Sequence, residues 1–403
     1  MRKIKDILKA AALLCLACQA ADASGGGFSA HIAASTLDPK MEWWFNLPAD
    51  SAPNIVETPR VYFHQNFSVF PFFEKAAVRD GNFDIQYSVY SIAPDGRRTK
   101  VSDNISLKGK KAGKDIIVAS TKYVAACFDR NSPEGLYTFE IEARDEIAKK
   151  TATAKTTVRL SEWVSPIPMT DKKLVADTVL KFYENPSPDV LYSLFFSNEF
   201  DLEQKGAPND LNFINLGFVR AAFKRNEFLL SPIRDSFAQS KPLDRAKIIF
   251  LFAILDEARV DDTLLTPAER KYQDAMRRAD IPDPYKEWDT VLGAAQIDML
   301  TGEFLADGTF RPIRRIMDLL SYVDEAKFAQ KMMSERKKPA DKDEMKKMML
   351  GLYHIAALKS LLTGAERFPL LKKYCQWAIE NKALPNSTYE LLGGIAKEQP
   401  RGK

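Results

Sequence analysis

The chain has 403 residues, 45% of them hydrophobic and 11% aromatic, which is too apolar for disorder and long enough for more than one core. Its formal net charge is +4, and residues 1–23 hold four basic and two acidic side chains, leaving +2 for the rest; so even a balance argues against a dedicated nucleic-acid or polyanion binder. The three histidines, His31, His64 and His354, give little material for zinc sites or histidine-based triads.

Arg2, Lys3, Lys5 and Lys9 precede a short apolar run, Ala10 to Ala17. The run is far below the ~20 residues that span a bilayer, so residues 1–23 are expected to be a signal peptide and the protein exported. Two processing routes fit. Ala21-Asp22-Ala23 suits ordinary cleavage with soluble release, periplasmic or extracellular. Leu16-Ala17-Cys18 suits lipidation of Cys18 as an outer-membrane lipoprotein, with Cys15 where such boxes usually carry leucine. The spacing Cys15-x-x-Cys18 lies inside this leader and carries no redox or metal meaning. Residues 24–36, rich in Ala, Ser and Gly, form a flexible linker.

Residues 37–163 are β-rich. Phe83, Ile85, Tyr87 and Val89 alternate with polar residues, as do Tyr137, Phe139, Ile141 and Ala143, and Ala154, Thr156, Val158 and Leu160. Val61, Phe63, Phe67 and Val69 keep the same period with a break at Gln65. A period of two with one polar side predicts half-buried strands. Asp80-Gly81-Asn82, Pro94-Asp95-Gly96, Lys108-Gly109 and Pro133-Glu134-Gly135 mark turns. Some seven short strands predict an immunoglobulin-like antiparallel β-sandwich, with Tyr137 placed to pin a corner. The segments Gly81–Tyr87, Ala93–Gly96 and Pro133–Tyr137, ending at Ala143-Arg144-Asp145, resemble the β-sandwich of exported bacterial proteins of unknown function. The likeness covers about a third of the chain, rests on turn and corner residues, and implies a fold without implying an activity. Cys127 in this half and Cys375 in the next are expected to be buried small hydrophobes, an interdomain disulfide being the alternative.

Ser165-Pro166-Ile167-Pro168 lies in a linker, 164–170, before an all-α region over 171–398. Ser187-Pro188, Lys241-Pro242, Thr266-Pro267 and Asp283-Pro284 place proline at a first helical position. Thr266-Pro-Ala-Glu269 is a capping box, and Asp324 and Asp341 are further candidate caps. The run Ile248–Leu255 is apolar on all sides and predicts a central buried helix. Phe228-Leu-Leu-Ser-Pro232-Ile-Arg234 echoes Phe310-Arg-Pro312-Ile-Arg314, and Leu300-Thr-Gly302 echoes Leu362-Thr-Gly364. Ten to twelve helices stacked as degenerate, solenoid-like pairs are expected, an irregular bundle being the alternative. Trp288–Leu320 and Met348–Ile379 also resemble the helical half of those exported proteins.

No catalytic, cofactor or metal residues emerge. Gly109-Lys-Lys-Ala-Gly113-Lys114-Asp115 imitates a phosphate loop but is one residue short and ends in a carboxylate that repels phosphate. His64 belongs to a polar strand face, and His354 to an apolar helix as a packed histidine. There is no Gly-x-Ser-x-Gly elbow, and Cys375 has no recognisable base. Asp256-Glu257 and Asp261-Asp262 are expected at solvated helix ends. The basic doublets, such as Arg97-Arg98 and Arg314-Arg315, are interspersed with acids. Trp43 and Trp44 are the candidate binding residues. Neighbours on a strand face opposite ways, so one could stack on a sugar or receive a partner segment. The function expected is a non-enzymatic binding or scaffold protein for a protein partner in the cell envelope. No nucleic acid is expected, and membrane contact only through a lipid at Cys18. An envelope hydrolase using paired carboxylates and a glycan-binding protein are the alternatives.

Overall fold

The computed structural model describes residues 27–37, 47, 56–110, 117–120, 122–202, 211–255, 260–279, 281–288 and 292–397. Cys18, Trp43 and Trp44 lie outside them, as do the leader, Asp256-Glu257 and residues 111–115 of the phosphate-loop imitation. The architecture is a mixed β and α multidomain fold, with two sheets and twelve α-helices among the described residues.

The strands are β1 (Ser29–Ser35), β2 (Arg60–Tyr62), β3 (Phe67–Glu74), β4 (Asn82–Ile92), β5 (Arg98–Lys110), β6 (Val118–Ala119), β7 (Val124–Ala126), β8 (Gly135–Asp145) and β9 (Lys150–Ser161). One sheet has the order β1-β3-β6 with β7 also on β3; the other runs β2-β9-β8-β4-β5. β4 pairs antiparallel with β5 and β8, and β2 runs parallel to the end of β9. The period of two is visible in burial, since Ile85, Tyr87 and Val89 of β4 and Phe139, Ile141 and Ala143 of β8 are all buried.

Three expected features differ in the β-rich part. Residues 24–36 are not a flexible linker throughout, since 29–35 form β1, with Ala30 and Ile32 to Ser35 buried in a sheet. Lys108-Gly109 is no turn; it lies within β5, with Gly109 opposite Phe83. A Cβ at Gly109 would stand 3.0 Å from the Phe83 ring, so the glycine makes room for a cross-strand aromatic. His64 is not on a strand face. It sits at φ 65° in the turn between β2 and β3, where Gln65 Oε1 accepts the Tyr62 amide at 3.0 Å.

Two compact units divide the chain. The first takes the described residues up to Ala33, with Phe70–Val124 and Tyr137–Thr157. Its buried Asp145 stops β8 by accepting three amides, Ala77 at 2.6 Å, Ile147 at 2.9 Å and Ala148 at 3.0 Å. The second unit takes Ala34–Val69, Ala125–Leu136 and everything from Val158 onward, and holds all the helices among the described residues.

Those helices are α1 (Lys172–Lys181), α2 (Pro188–Phe195), α3 (Phe213–Arg225), α4 (Leu230–Asp235), α5 (Pro242–Ile254), α6 (Pro267–Arg278), α7 (Gly293–Asp307), α8 (Phe310–Asp318), α9 (Val323–Ser334), α10 (Lys342–Arg367), α11 (Pro369–Glu380) and α12 (Tyr389–Lys397). Proline opens α2, α5, α6 and α11, because its missing amide has no partner there anyway. The Thr266–Glu269 capping box forms, and Asp341 accepts the Glu344 amide at 2.8 Å. Asp324 is no cap, since α9 starts one residue before it. Asp283-Pro284 opens no helix; Asp283 Oδ1 takes the Tyr285 amide at 2.9 Å and makes a turn.

α5 is the buried helix expected, with Ile248 to Phe252 shut away from water. One of its residues is a surprise. Lys247 is buried, and its Nζ donates to the carbonyls of Phe195 at 2.9 Å, Ser197, and Phe200 at 3.4 Å. It thereby satisfies acceptors left open as α2 ends. Burial pulls its pKa down to about 8.

α3 and α7 cross at glycines. A Cβ on Gly217 would lie 2.1 Å from the Met299 carbonyl oxygen, and one on Gly302 would lie 1.9 Å from that of Ile214 and 2.6 Å from the Phe218 nitrogen. Further on, Arg225 meets Asp307 at 2.9 Å. The pairings advance together, so the two helices run parallel. α9 and α10 form an antiparallel hairpin, with Gly351 against the Glu325 backbone and Lys347 over the Phe328 ring.

Candidate functional site

Where β9 ends at Ser161 the chain enters a stretch with two prolines, Pro166 and Pro168, which have no amide to donate and a fixed φ. Burial along this stretch repeats every three residues. Trp163, Pro166 and Met169 are partly buried, and Trp163 and Met169 pack on the helical core. Val164 and Ile167 are 77% and 86% exposed, against 52% for Leu174, the next most exposed large hydrophobic among the described residues. Three residues per turn is the period of a polyproline II helix, so 164 and 167 lie in line on one edge, roughly 9 Å apart at ~3.1 Å per residue.

The opposite edge is fastened to α2. Trp163 Nε1 donates to Asp189 Oδ1 at 3.1 Å, and the Tyr62 hydroxyl donates to Asp189 Oδ2 at 2.7 Å. One turn further on, Ser193 Oγ donates to the Ile167 carbonyl at 2.8 Å, and the Ser193 carbonyl accepts the Met169 amide at 2.9 Å. Asp189 and Ser193 are four apart, so one helix face carries both anchors. The Trp163 ring stands edge-on to Tyr192 at 5.1 Å. Burial, and then the Asp189 carboxylate, push the Tyr62 hydroxyl up to about 12, which keeps it a donor at any ordinary pH. The two exposed aliphatic side chains therefore stand on a ribbon held from behind by three hydrogen bonds to α2 and by the Trp163–Tyr192 contact. Covering both would release about 1.5–3 kcal/mol each. Just downstream, Lys172 and Lys173 are exposed at the start of α1.

A second set of side chains gathers on α7. Glu303 is largely buried, which raises its pKa, and it accepts the Tyr285 hydroxyl at 2.6 Å. The Arg311 guanidinium lies 3.9 Å from the centre of the Tyr285 ring. One turn on, Asp307 pairs with Arg225. Each carboxylate has its own partner, and the two project from one helix a turn apart. A pair that works on a sugar instead faces across a gap. Among the described residues, no three His, Cys, Asp or Glu come together as a metal site.

The other candidates fall into structural roles. His354 is buried, with Nδ1 3.1 Å from the Leu319 carbonyl, and burial lowers its pKa. Asp261 accepts the Thr263 amide at 2.9 Å at a solvated 3₁₀ start. Cys375 is buried as expected, but Cys127 is exposed, because the polypeptide leaves β7 just before it; both are free thiols. The Val164–Ile167 edge falls within residues 164–170, which the sequence predicts to be a linker. The signal for it is two prolines separated by one aliphatic residue, with a tryptophan and Val164 just before them.

No protein-family model matches the sequence, and no curated protein matches it. Structural likeness is remote. A family 123 glycoside hydrolase from Clostridium perfringens shares 11% identity over 42% of this chain, with a TM-score of 0.23. A Niemann-Pick type C2 protein from the Japanese carpenter ant shares 11% over 35% of this chain and 97% of its own, at 0.19. Native alpha-2-macroglobulin of Escherichia coli shares 9% over 86% of this chain and 24% of its own, also at 0.19. This chain spans 37% of the length of the glycoside hydrolase. Likeness at that level carries no functional argument.

Proposed function

We propose that this is an exported, non-enzymatic binding or scaffold protein, released or lipid-anchored, that engages a protein partner in the cell envelope. In this reading the β-rich part is an immunoglobulin-like sandwich and the helices are degenerate stacked pairs. The observation that carries the proposal is the pinned edge bearing Val164 and Ile167. An extended, proline-fixed ribbon has already lost the conformational entropy that binding would otherwise cost. A ridge needs a groove, so the partner is a protein with an apolar or aromatic slot, the usual receiver of polyproline II segments. Lys172 and Lys173 at the downstream end suit an acidic rim on that slot. The ridge is small beside a standard interface of about 1,600 Å², so the contact is expected to be transient.

The test places a photo-crosslinking side chain at Ile167 in the full chain, in the native cell, with Leu243, 51% exposed on α5, as a control away from the ridge. One species should be captured from position 167 and not from 243. The double variant Val164→Asp, Ile167→Asp should weaken binding of that purified species by at least about tenfold, the yield of ~1.4 kcal/mol. Capture from both positions alike, or an unchanged affinity, would refute the proposal.

A further inference from the structure

We infer that the tip of the α9–α10 hairpin docks on an anionic lipid surface. This is independent of the ridge at Val164 and Ile167. The chain as a whole is nearly neutral, but its charge is not evenly spread. Residues 331–347 contain seven basic and four acidic side chains, so this short stretch holds +3 of the total +4. No residue from Met333 to Lys347 is buried. The acids are largely engaged with the tip itself. Glu335 pairs with Lys337 at 2.7 Å, Asp341 caps α10, and Glu344 accepts the Ala340 amide at 2.8 Å. Lys338, Lys342 and Lys346 are exposed, and none of them enters an ion pair among the described residues. Each such lysine near an anionic membrane adds attraction worth about a fivefold change in affinity.

The apolar component decides which polyanion fits. Met333 and Met345 are both exposed, at the end of α9 and in the first turn of α10. The antiparallel pairing of the two helices brings them to the same end of the hairpin. Methionine is flexible and apolar, suited to entering the boundary between headgroups and acyl chains beside basic residues. The stretch has no aromatic residue, so it lacks a platform for stacking bases or sugars. Helix α10 is long and apolar enough to cross a membrane by length and composition, but Gly351, Tyr353, His354, Ala357 and Leu361 are buried in the core. Only its start is available, which gives surface contact and not insertion.

The experiment is co-sedimentation of the full chain with vesicles of phosphatidylcholine containing one part in four of phosphatidylglycerol, and with pure phosphatidylcholine. Two variants, Lys338→Gln/Lys342→Gln/Lys346→Gln and Met333→Ser/Met345→Ser, are compared with the parent. All share one N-terminus, so any lipid anchor contributes equally. The parent should bind the charged vesicles more tightly than the neutral ones, with binding weakened by added salt. The lysine variant should bind at least about tenfold more weakly, and the methionine variant should also lose affinity. All the changes are on exposed residues, and matching circular dichroism will show the fold intact. No preference for charged vesicles, or equal binding by parent and lysine variant, would overturn the inference. So would a full effect of the lysines with none of the methionines and equal binding to heparin, which would mark a general polyanion site.

Discussion

Gly302→Ala tests the packing logic of the helical unit. The added methyl carbon would stand 1.9 Å from the Ile214 carbonyl oxygen, about 1.4 Å short of the ~3.3 Å at which carbon and oxygen ordinarily meet. Backbone faces it on both sides, from Ile214 and Phe218, so no rotamer change can relieve the clash. α3 and α7 must separate, and the separation loosens the buried Phe218, Val219, Met299 and Leu300 as well as the Arg225–Asp307 pair. Overpacking of this kind costs about 1–3 kcal/mol before any new void is counted. Voids add roughly 24 cal/mol per Å³, so a loss of about 2–4 kcal/mol is expected. The control is Gly394→Ala in α12, an exposed helical glycine with nothing within 4 Å of its added carbon. That change should stabilise, by up to about 1 kcal/mol, through helix propensity alone. Urea unfolding followed by far-ultraviolet circular dichroism reads both. If Gly302→Ala costs under about 0.5 kcal/mol, or if the two variants move the midpoint in the same direction, the close crossing has been misjudged.

Lys247 makes stability depend on alkaline pH. Its folded pKa of about 8 lies below the unfolded value near 10.4, so between those limits the unfolded chain binds more protons. Stability should therefore rise by about 1–3 kcal/mol from pH 8 to pH 10.5, as the penalty of a buried charge fades. In Lys247→Met that rise should vanish from urea midpoints measured across the range; a rise that persists would assign it elsewhere. The two described thiols should separate cleanly. Burial pushes Cys375 up to about 12, so a thiol reagent should label Cys127 in the native protein and Cys375 only after denaturant. Peptide mass spectrometry checks this, and native labelling of Cys375 at a comparable rate would contradict its place in the core.

Local signals in the sequence were reliable where a single residue type has one cheap use. Proline at helix starts, the Thr266–Glu269 box and the all-apolar run of α5 are of that kind. Asp283-Pro284 failed because an aspartate before proline serves a turn as well as a helix, and only the surroundings choose. Lys108-Gly109 failed because glycine can mark a turn or make space for a neighbour, and Phe83 lies 26 residues away in the chain. The candidate site was hidden for a similar reason. Its period is three, which is neither of the periods used to find strands and helices, and its meaning depends on Asp189 and Ser193 anchoring the far side. The gathering of Glu303, Tyr285 and Arg311 has no local pattern at all, since three separate elements supply it. The buried Lys247 was unreadable because its partners are backbone carbonyls, which every residue possesses.

The glycine crossing also sets a timetable for synthesis. Gly217 and Gly302 are 85 residues apart, and at about 5–20 residues per second a ribosome needs on the order of ten seconds to travel from one to the other. Throughout that interval α3 exists without the helix that closes over it, and its phenylalanines and Leu216 stay open to whatever else is in the cell. A nascent chain stalled before Gly302 should be held by chaperones, and the hold should end within a few residues of α7 clearing the exit tunnel.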